Sequence, residues 1–311
     1  MIEILLIFLN RMKEKILILI FFIVSQIAFS QIKGVVKDSI SGEPISYVNI
    51  WVENETIGTT SEADGSFSLD VKEEKVLVFS ALGYETKKIS SKEETIYLKA
   101  IAYELKEVVI ESRKRTNKIK IGNFKKGDVK VFYGAGIQPT ILAKKIEFTS
   151  EIANYPYIKE INFLTRCEIK KAKIILRFFE IDSDGKPGKD YLDEVIIIEV
   201  KKGKQINIVE LDKFNIKIPK EGIYIAFEWM IVEDNKYIYK YTLEEENNKI
   251  KYEDGVNYQP MIGTIPSDKS TSWNFSKGSW FARNKHIDSN LKAANYIGKF
   301  SELAIEITFT N

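Results

Sequence analysis

From Gln31 onward, apolar and polar residues alternate with a period of two. Val48, Ile50 and Val52 alternate with Tyr47, Asn49 and Trp51. Phe67, Leu69 and Val71 alternate with Ser66, Ser68 and Asp70, the pattern of half-buried strands. Residues 76–81 form an unbroken apolar run, as a strand covered on both faces would. Ile96-Tyr97-Leu98 and residues 105–110 bring the count to about seven short strands, enough for a small sandwich. Ser41-Gly42-Glu43-Pro44 and Ala63-Asp64-Gly65 supply the turns, because Gly accepts a positive φ and Asp caps its own turn.

A second alternating region starts at Val131. Ile146 and Phe148, Ile161 and Phe163, then Ile174, Leu176 and Phe178 lie two apart. Residues 195–200, 206–211 and 223–232 are strongly apolar, and Leu303, Ile305, Ile307 and Phe309 share one face of a final strand. No helical stripe exceeds two turns. Asp-Gly, Asn-Asn, Pro-Lys-Glu-Gly and Glu-Asp-Asn turns separate the strands, which predicts a larger antiparallel sandwich of jelly-roll type. The chain is therefore expected to be all-β, with one sandwich at 31–112, a basic linker at 113–130 and a second sandwich at 131–311. The linker carries Arg113, Lys114, Arg115, Lys118, Lys120, Lys125 and Lys126, suited to a solvated hinge or to peripheral contact with lipid phosphates or an acidic partner.

The first 30 residues read as an export signal. Lys13 and Lys15 precede an apolar run at 16–24, and Ala28-Phe29-Ser30 fits small-x-small cleavage before Gln31. Met1 and Met12 are both candidate starts. A retained anchor is the rival reading, but Arg11, Lys13, Glu14 and Lys15 interrupt the apolar runs, and the second is short of the roughly 20 residues of a membrane span. No cysteine follows for a lipid anchor. The expected address is periplasm, outer membrane or medium.

Ile32-Lys33-Gly34-Val35-Val36, Gly42-Glu43-Pro44-Ile45, Val48-Asn49-Ile50, Gly58-Thr59-Thr60, Asp64-Gly65-Ser66-Phe67 and Leu82-Gly83-Tyr84 occur in an order that resembles a carboxypeptidase-like regulatory domain. That resemblance implies a seven-stranded transthyretin-like β-sandwich of Bacteroidetes envelope proteins, without peptidase chemistry. Leu105-Lys106-Glu107-Val108-Val109-Ile110 also resembles the segment leading to the plug of TonB-dependent receptors. The remaining residues are expected to be too few for the large barrel of such receptors, at roughly ten residues per strand. Lys186-Pro187-Gly188-Lys189-Asp190-Tyr191-Leu192 and Ala226-Phe227-Glu228-Trp229 loosely resemble uncharacterised C-terminal β-domains that follow this module in flavobacterial proteins, which assigns no activity.

Composition narrows the functional classes. Lys plus Arg total 46 against 44 Asp plus Glu, so no global field favours nucleic acid. One cysteine, Cys167, excludes an internal disulfide and reads as a small buried hydrophobe. One histidine, His286, leaves zinc peptidase chemistry without its usual ligands, and no Gly-x-Ser-x-Gly elbow supports a serine hydrolase. No cofactor is expected.

Three groups of residues remain as candidate sites. Asp182, Asp184 and Asp190 concentrate carboxylates near a turn that could hold calcium or simply be stapled by its Asp side chains. Glu228 lies in an apolar strand beside Trp229, either as a desolvated acid of a glycosidase-type carboxylate pair or as a structural Glu paired with Arg166 or Arg177. Trp273, Asn274, Phe275, Trp280 and Arg283 could form a ring-stacking platform for a glycan, or the rings could close the end of the sandwich. Phe281, Tyr252 and Tyr258 lie nearby in sequence. Two functions follow: a non-enzymatic envelope protein binding glycan, peptide or a protein partner, or a hydrolase using a carboxylate pair.

Overall fold

The computed structural model describes residues 31–71, 73–101, 116–244, 250–286 and 293–311, together with residues 12, 13 and 15. The expected export signal lies outside these except at those three positions, and so do Arg113, Lys114 and Arg115.

The strand expected at 105–110 lies outside the described residues, and the N-terminal unit is a sandwich with seven described strands. These are β1 (Gln31–Asp38), β2 (Asn49–Val52), β3 (Gly58–Thr60), β4 (Ser66–Asp70), β5 (Val76–Ser80), β6 (Lys87–Ser90) and β7 (Thr95–Leu98). One sheet has the order β4-β1-β7 and the other β3-β2-β5-β6. Every pairing is antiparallel except β1 with β7. Val36, Val48, Ile50, Phe67, Leu77, Phe79, Ile96 and Leu98 fill the space between the sheets.

The C-terminal unit contains β8 (Lys118–Ile121), β9 (Val131–Ala135), β10 (Ile141–Ile146), β11 (Tyr157–Ile181), β12 (Pro187–Asp190), β13 (Ile196–Glu210) and β14 (Ile223–Trp229). It continues with β15 (Lys236–Glu244), β16 (Ile250–Ser267), β17 (Ser272–Ser276), β18 (Ser279–Ala282), β19 (Phe300–Leu303) and β20 (Ile305–Thr310). A four-residue helix, α1 (Ser150–Ala153), is N-capped by Thr149. The 25-residue β11 pairs with β12, β13, β14, β16 and β20, so all thirteen strands hydrogen-bond into one continuous sheet. That sheet closes around Phe163, Phe178, Phe227, Trp229, Ile262 and Phe309. β8 falls within the stretch read as a linker. Its Lys-Ile-Lys-Ile alternation pairs with β20, which starts the C-terminal unit before Val131.

The two units share a seam, and the alternation explains it. On β2, Ile50 and Val52 enter the N-terminal core, which turns Asn49 and Trp51 to the opposite face. On β14, Ile223, Ile225, Phe227 and Trp229 enter the C-terminal core, leaving Tyr224, Ala226 and Glu228 on the other side. These two second faces meet, so both strands are buried throughout. Around them, Gly58 N–H donates to Ile137 O at 3.0 Å and Thr60 N–H to Ile231 O at 3.2 Å. A Cβ on Gly58 would lie 2.5 Å from Pro139 Cδ and 2.6 Å from Ile50 O, so only glycine allows this approach.

Candidate functional site

Glu228 brings a carboxylate from β14 into the seam. Its carboxylate accepts from the Asn49 side-chain amide across the two units and from Arg177 Nη1 at 2.5 Å. Arg177 also grips Asp190 at 2.6 Å, donating from Nε and Nη2. Burial works against the Arg177 charge, but Glu228 and Asp190 outweigh it and hold the guanidinium above its ordinary pKa. Burial also pushes the Asp190 carboxyl up, and Arg177 opposes that shift. Of the two partners expected for Glu228, Arg177 is the one present, while Arg166 pairs with Glu168 at 2.7 Å.

The three acids proposed for calcium are divided among other tasks. Asp182 accepts from the backbone N–H groups of Asp184 and Lys186 at 2.9 and 2.8 Å, stapling the turn. Asp184 pairs with Lys186, and Asp190 faces Arg177. Among the described residues no group of three or more acidic, His or Cys side chains could hold a metal ion.

The aromatic segment is split by its own pleat. Trp273, Phe275 and Trp280 share one face of the β17–β18 hairpin and pack on Ile141, Ala143, Phe179 and Tyr224. Their contacts are edge-on: Phe275 meets Trp280 at 5.3 Å and Phe179 meets Trp280 at 5.5 Å between centroids. Trp51 of the N-terminal unit meets Phe275 at 6.1 Å, so these rings also brace the seam. Asn274 and Phe281 pair on the opposite face. Arg283 is only 6% exposed; its guanidinium lies 3.7 Å over the Tyr133 ring, and Nη1 has no hydrogen-bond partner. The five residues proposed as one platform therefore do not converge.

His286 bonds through Nε2 to Ser301 Oγ. Ser301 is fully buried, which removes it from contact with any substrate in this conformation. Cys167 is buried, as expected, and burial pushes its thiol pKa up.

An open groove of about 780 Å³ runs along the seam. Its N-terminal wall is β3 and β4, with Gln31 and Lys33 of β1; its C-terminal wall holds Ile137, Ile231, Glu233, Lys236 and Tyr258. Thr60 belongs to both groove and seam, since its hydroxyl accepts from Ile231 N–H at 2.9 Å and reaches Asn49. Burial raises the pKa of Tyr258, which keeps its phenol a hydrogen-bond donor. Lys236 and Tyr258 are paired at the root of the β15–β16 ribbon, and the same ribbon face carries Ile238 and Tyr252, 57% and 70% exposed. Tyr237, Tyr239 and Tyr241 form a ring ladder on the other face, with centroids 6.3 and 6.0 Å apart. The Tyr-x-Tyr-x-Tyr spacing at 237–241 is the sequence signal for this strand.

Residues 32–115 match the family model of the CarboxypepD_reg-like domain. They form a CarboxypepD_reg-like domain. The chain is also similar to the TonB-dependent receptor SusC of Bacteroides thetaiotaomicron, at 34% identity over 123 residues. That match covers 38% of this chain and 11% of the receptor, so the chain spans about a tenth of the relative. The CarboxypepD_reg-like domain contributes Gly58, Thr59, Thr60 and all of β4 to the groove, while the C-terminal unit supplies the opposing wall.

Proposed function

We propose that this is a non-enzymatic protein of the cell envelope that binds a glycan, peptide or protein segment in the groove between its CarboxypepD_reg-like domain and its C-terminal sandwich. The observation that carries the reading is the groove itself. At about 780 Å³ it falls within the range of ligand sites, and polar groups from both units converge on it around an apolar strip of Ile57, Ile137 and Ile231. Similarity to a TonB-dependent receptor supports the envelope address. Binding is favoured over hydrolysis because Glu228 is committed to Arg177 and Asn49, and His286 is committed to Ser301.

A screen of the purified protein on glycan and peptide arrays tests this. Ile137 is 51% exposed, so Ile137→Arg should fold normally while filling the groove with a charged side chain. The expected result is a ligand whose binding falls at least tenfold in Ile137→Arg and is unchanged in Trp273→Ala. Ligands insensitive to Ile137→Arg would place binding elsewhere.

A further inference from the structure

The groove has a feature that selects among its possible occupants: the free edge of a sheet. Among the described residues β4 pairs with β1 only and forms the rim of its sheet. The phase of that ladder is set by Val36 N–H donating to Gly65 O at 2.9 Å. Stepping by two, Phe67 with Gly34 and Leu69 with Ile32 are the hydrogen-bonded pairs, and Ser66, Ser68 and Asp70 turn their backbone groups outward. Ser66 O is occupied by Glu62 N–H, and Ser66 N–H by the Asp64 side chain. The N–H and C=O of Ser68 and Asp70 are left pointing away from the sheet, and residues 66–70 all line the groove.

The neighbouring edge shows what such groups do in this fold. β3 is likewise a rim strand, and its outward N–H groups at Gly58 and Thr60 are taken by Ile137 and Ile231 of the C-terminal unit. One of the two adjacent rims is therefore closed by backbone from the second unit, and the other opens into the groove beside it.

We infer that the groove takes an extended peptide segment of a partner protein, which adds a strand to β4. The inference rests on the groove being the binding site. A five-residue strand is about 17 Å long and would match β4 along its length. Main-chain bonds to Ser68 and Asp70 would supply register, and the strip of Ile57, Ile137 and Ile231 would select apolar side chains. A glycan has no alternating N–H and C=O groups with which to complete a ladder, which is why peptide is favoured.

The test uses the intact protein and a synthetic array of random octapeptides, with a glycan array run in parallel. Ser68→Pro removes an outward N–H without touching a bond to β1, a placement that edge strands tolerate. A circular dichroism melt confirms its fold. The tightest array peptide is expected to bind Ser68→Pro and Ile137→Arg about tenfold or more weakly, the equivalent of losing one to two hydrogen bonds. N-methylation of alternate peptide amides should abolish binding in one phase and spare it in the other. Loss in Ile137→Arg with full binding in Ser68→Pro would overturn strand addition while leaving the groove as the site. Glycan hits sensitive to Ile137→Arg, with no peptide hit, would overturn the peptide class. Ligands indifferent to both changes would remove the groove itself.

Discussion

Replacing Arg177 with Met leaves two carboxylates without a counter-charge. Glu228 and Asp190 side chains are 5% and 17% exposed, and Arg177 contacts them at 2.5 and 2.6 Å. Breaking a buried ion network by removing one partner costs about 3–5 kcal/mol, because the orphaned charge stays desolvated. At an m-value of about 2 kcal/mol/M, that is a fall of roughly 1.5–2.5 M in the urea midpoint, followed by tryptophan fluorescence. The triple change Arg177→Met, Glu228→Leu, Asp190→Leu should recover more than half of the loss, since it removes the charges with the guanidinium. The defect also has a pH signature. Burial already pushes the Asp190 carboxyl up, and without Arg177 to oppose it the folded state favours the protonated acid more strongly. A raised carboxyl pKa means that folding takes up a proton, so stability falls as pH rises from the ordinary carboxylate range near 4 through the folded value. The Arg177→Met defect should therefore shrink on acidification toward pH 4. A midpoint shift below about 0.3 M, or a defect that grows toward pH 4, would mean that Arg177 does not compensate these buried charges.

Other expectations follow from the same contacts. Gly58→Ala drives a methyl group against Pro139 and Ile50 O, so the seam should loosen by about 1–3 kcal/mol, read as faster proteolysis between the units. Asn49→Ala removes a hydrogen bond to the Glu228 carboxylate and should cost about 1.5–3 kcal/mol in the same urea melt; an unchanged midpoint would contradict the seam. Glu302 accepts from Thr271 and Ser272, and its charge acts on both Lys144 and Arg283. Glu302→Ala leaves the Thr271 N–H and the Thr271 and Ser272 hydroxyls without their acceptor and should cost about 1–3 kcal/mol, read as a lower melting temperature. Trp280→Ala removes edge contacts to Phe179 and Phe275 and should cost about 3 kcal/mol while leaving groove binding intact.

Much of the fold was readable because strands write their burial with a period of two. The strands at 49–52, 66–70, 76–80 and 95–98 and the apolar runs at 174–178, 223–232 and 303–309 lie where the alternation puts them, whereas Lys87–Ser90 carries no such signal. What the alternation could not distinguish is what covers the second face. Asn49 and Trp51 look like solvent positions on β2, yet they are the seam, because β14 presents Glu228 and an apolar row to them. The same period undid the proposed platform. Residues adjacent in a strand point to opposite faces, so Trp273 and Asn274 cannot act together on one surface. Arg283 looked available for a ligand because it sits in a polar stretch, and its burial under Tyr133 comes from a strand far away in sequence. The groove was invisible for the same reason. Its walls come from residues 31–70 and 137–258, and sequence spacing carries no information about their approach.

Hydrogen–deuterium exchange with the tightest array hit shows whether ligand sits between the two units. New protection is expected at residues 66–70, with smaller effects at 57–60 and 231–236. Protection confined to β17 and β18, or to the tip of the β15–β16 ribbon, would place the ligand outside the groove.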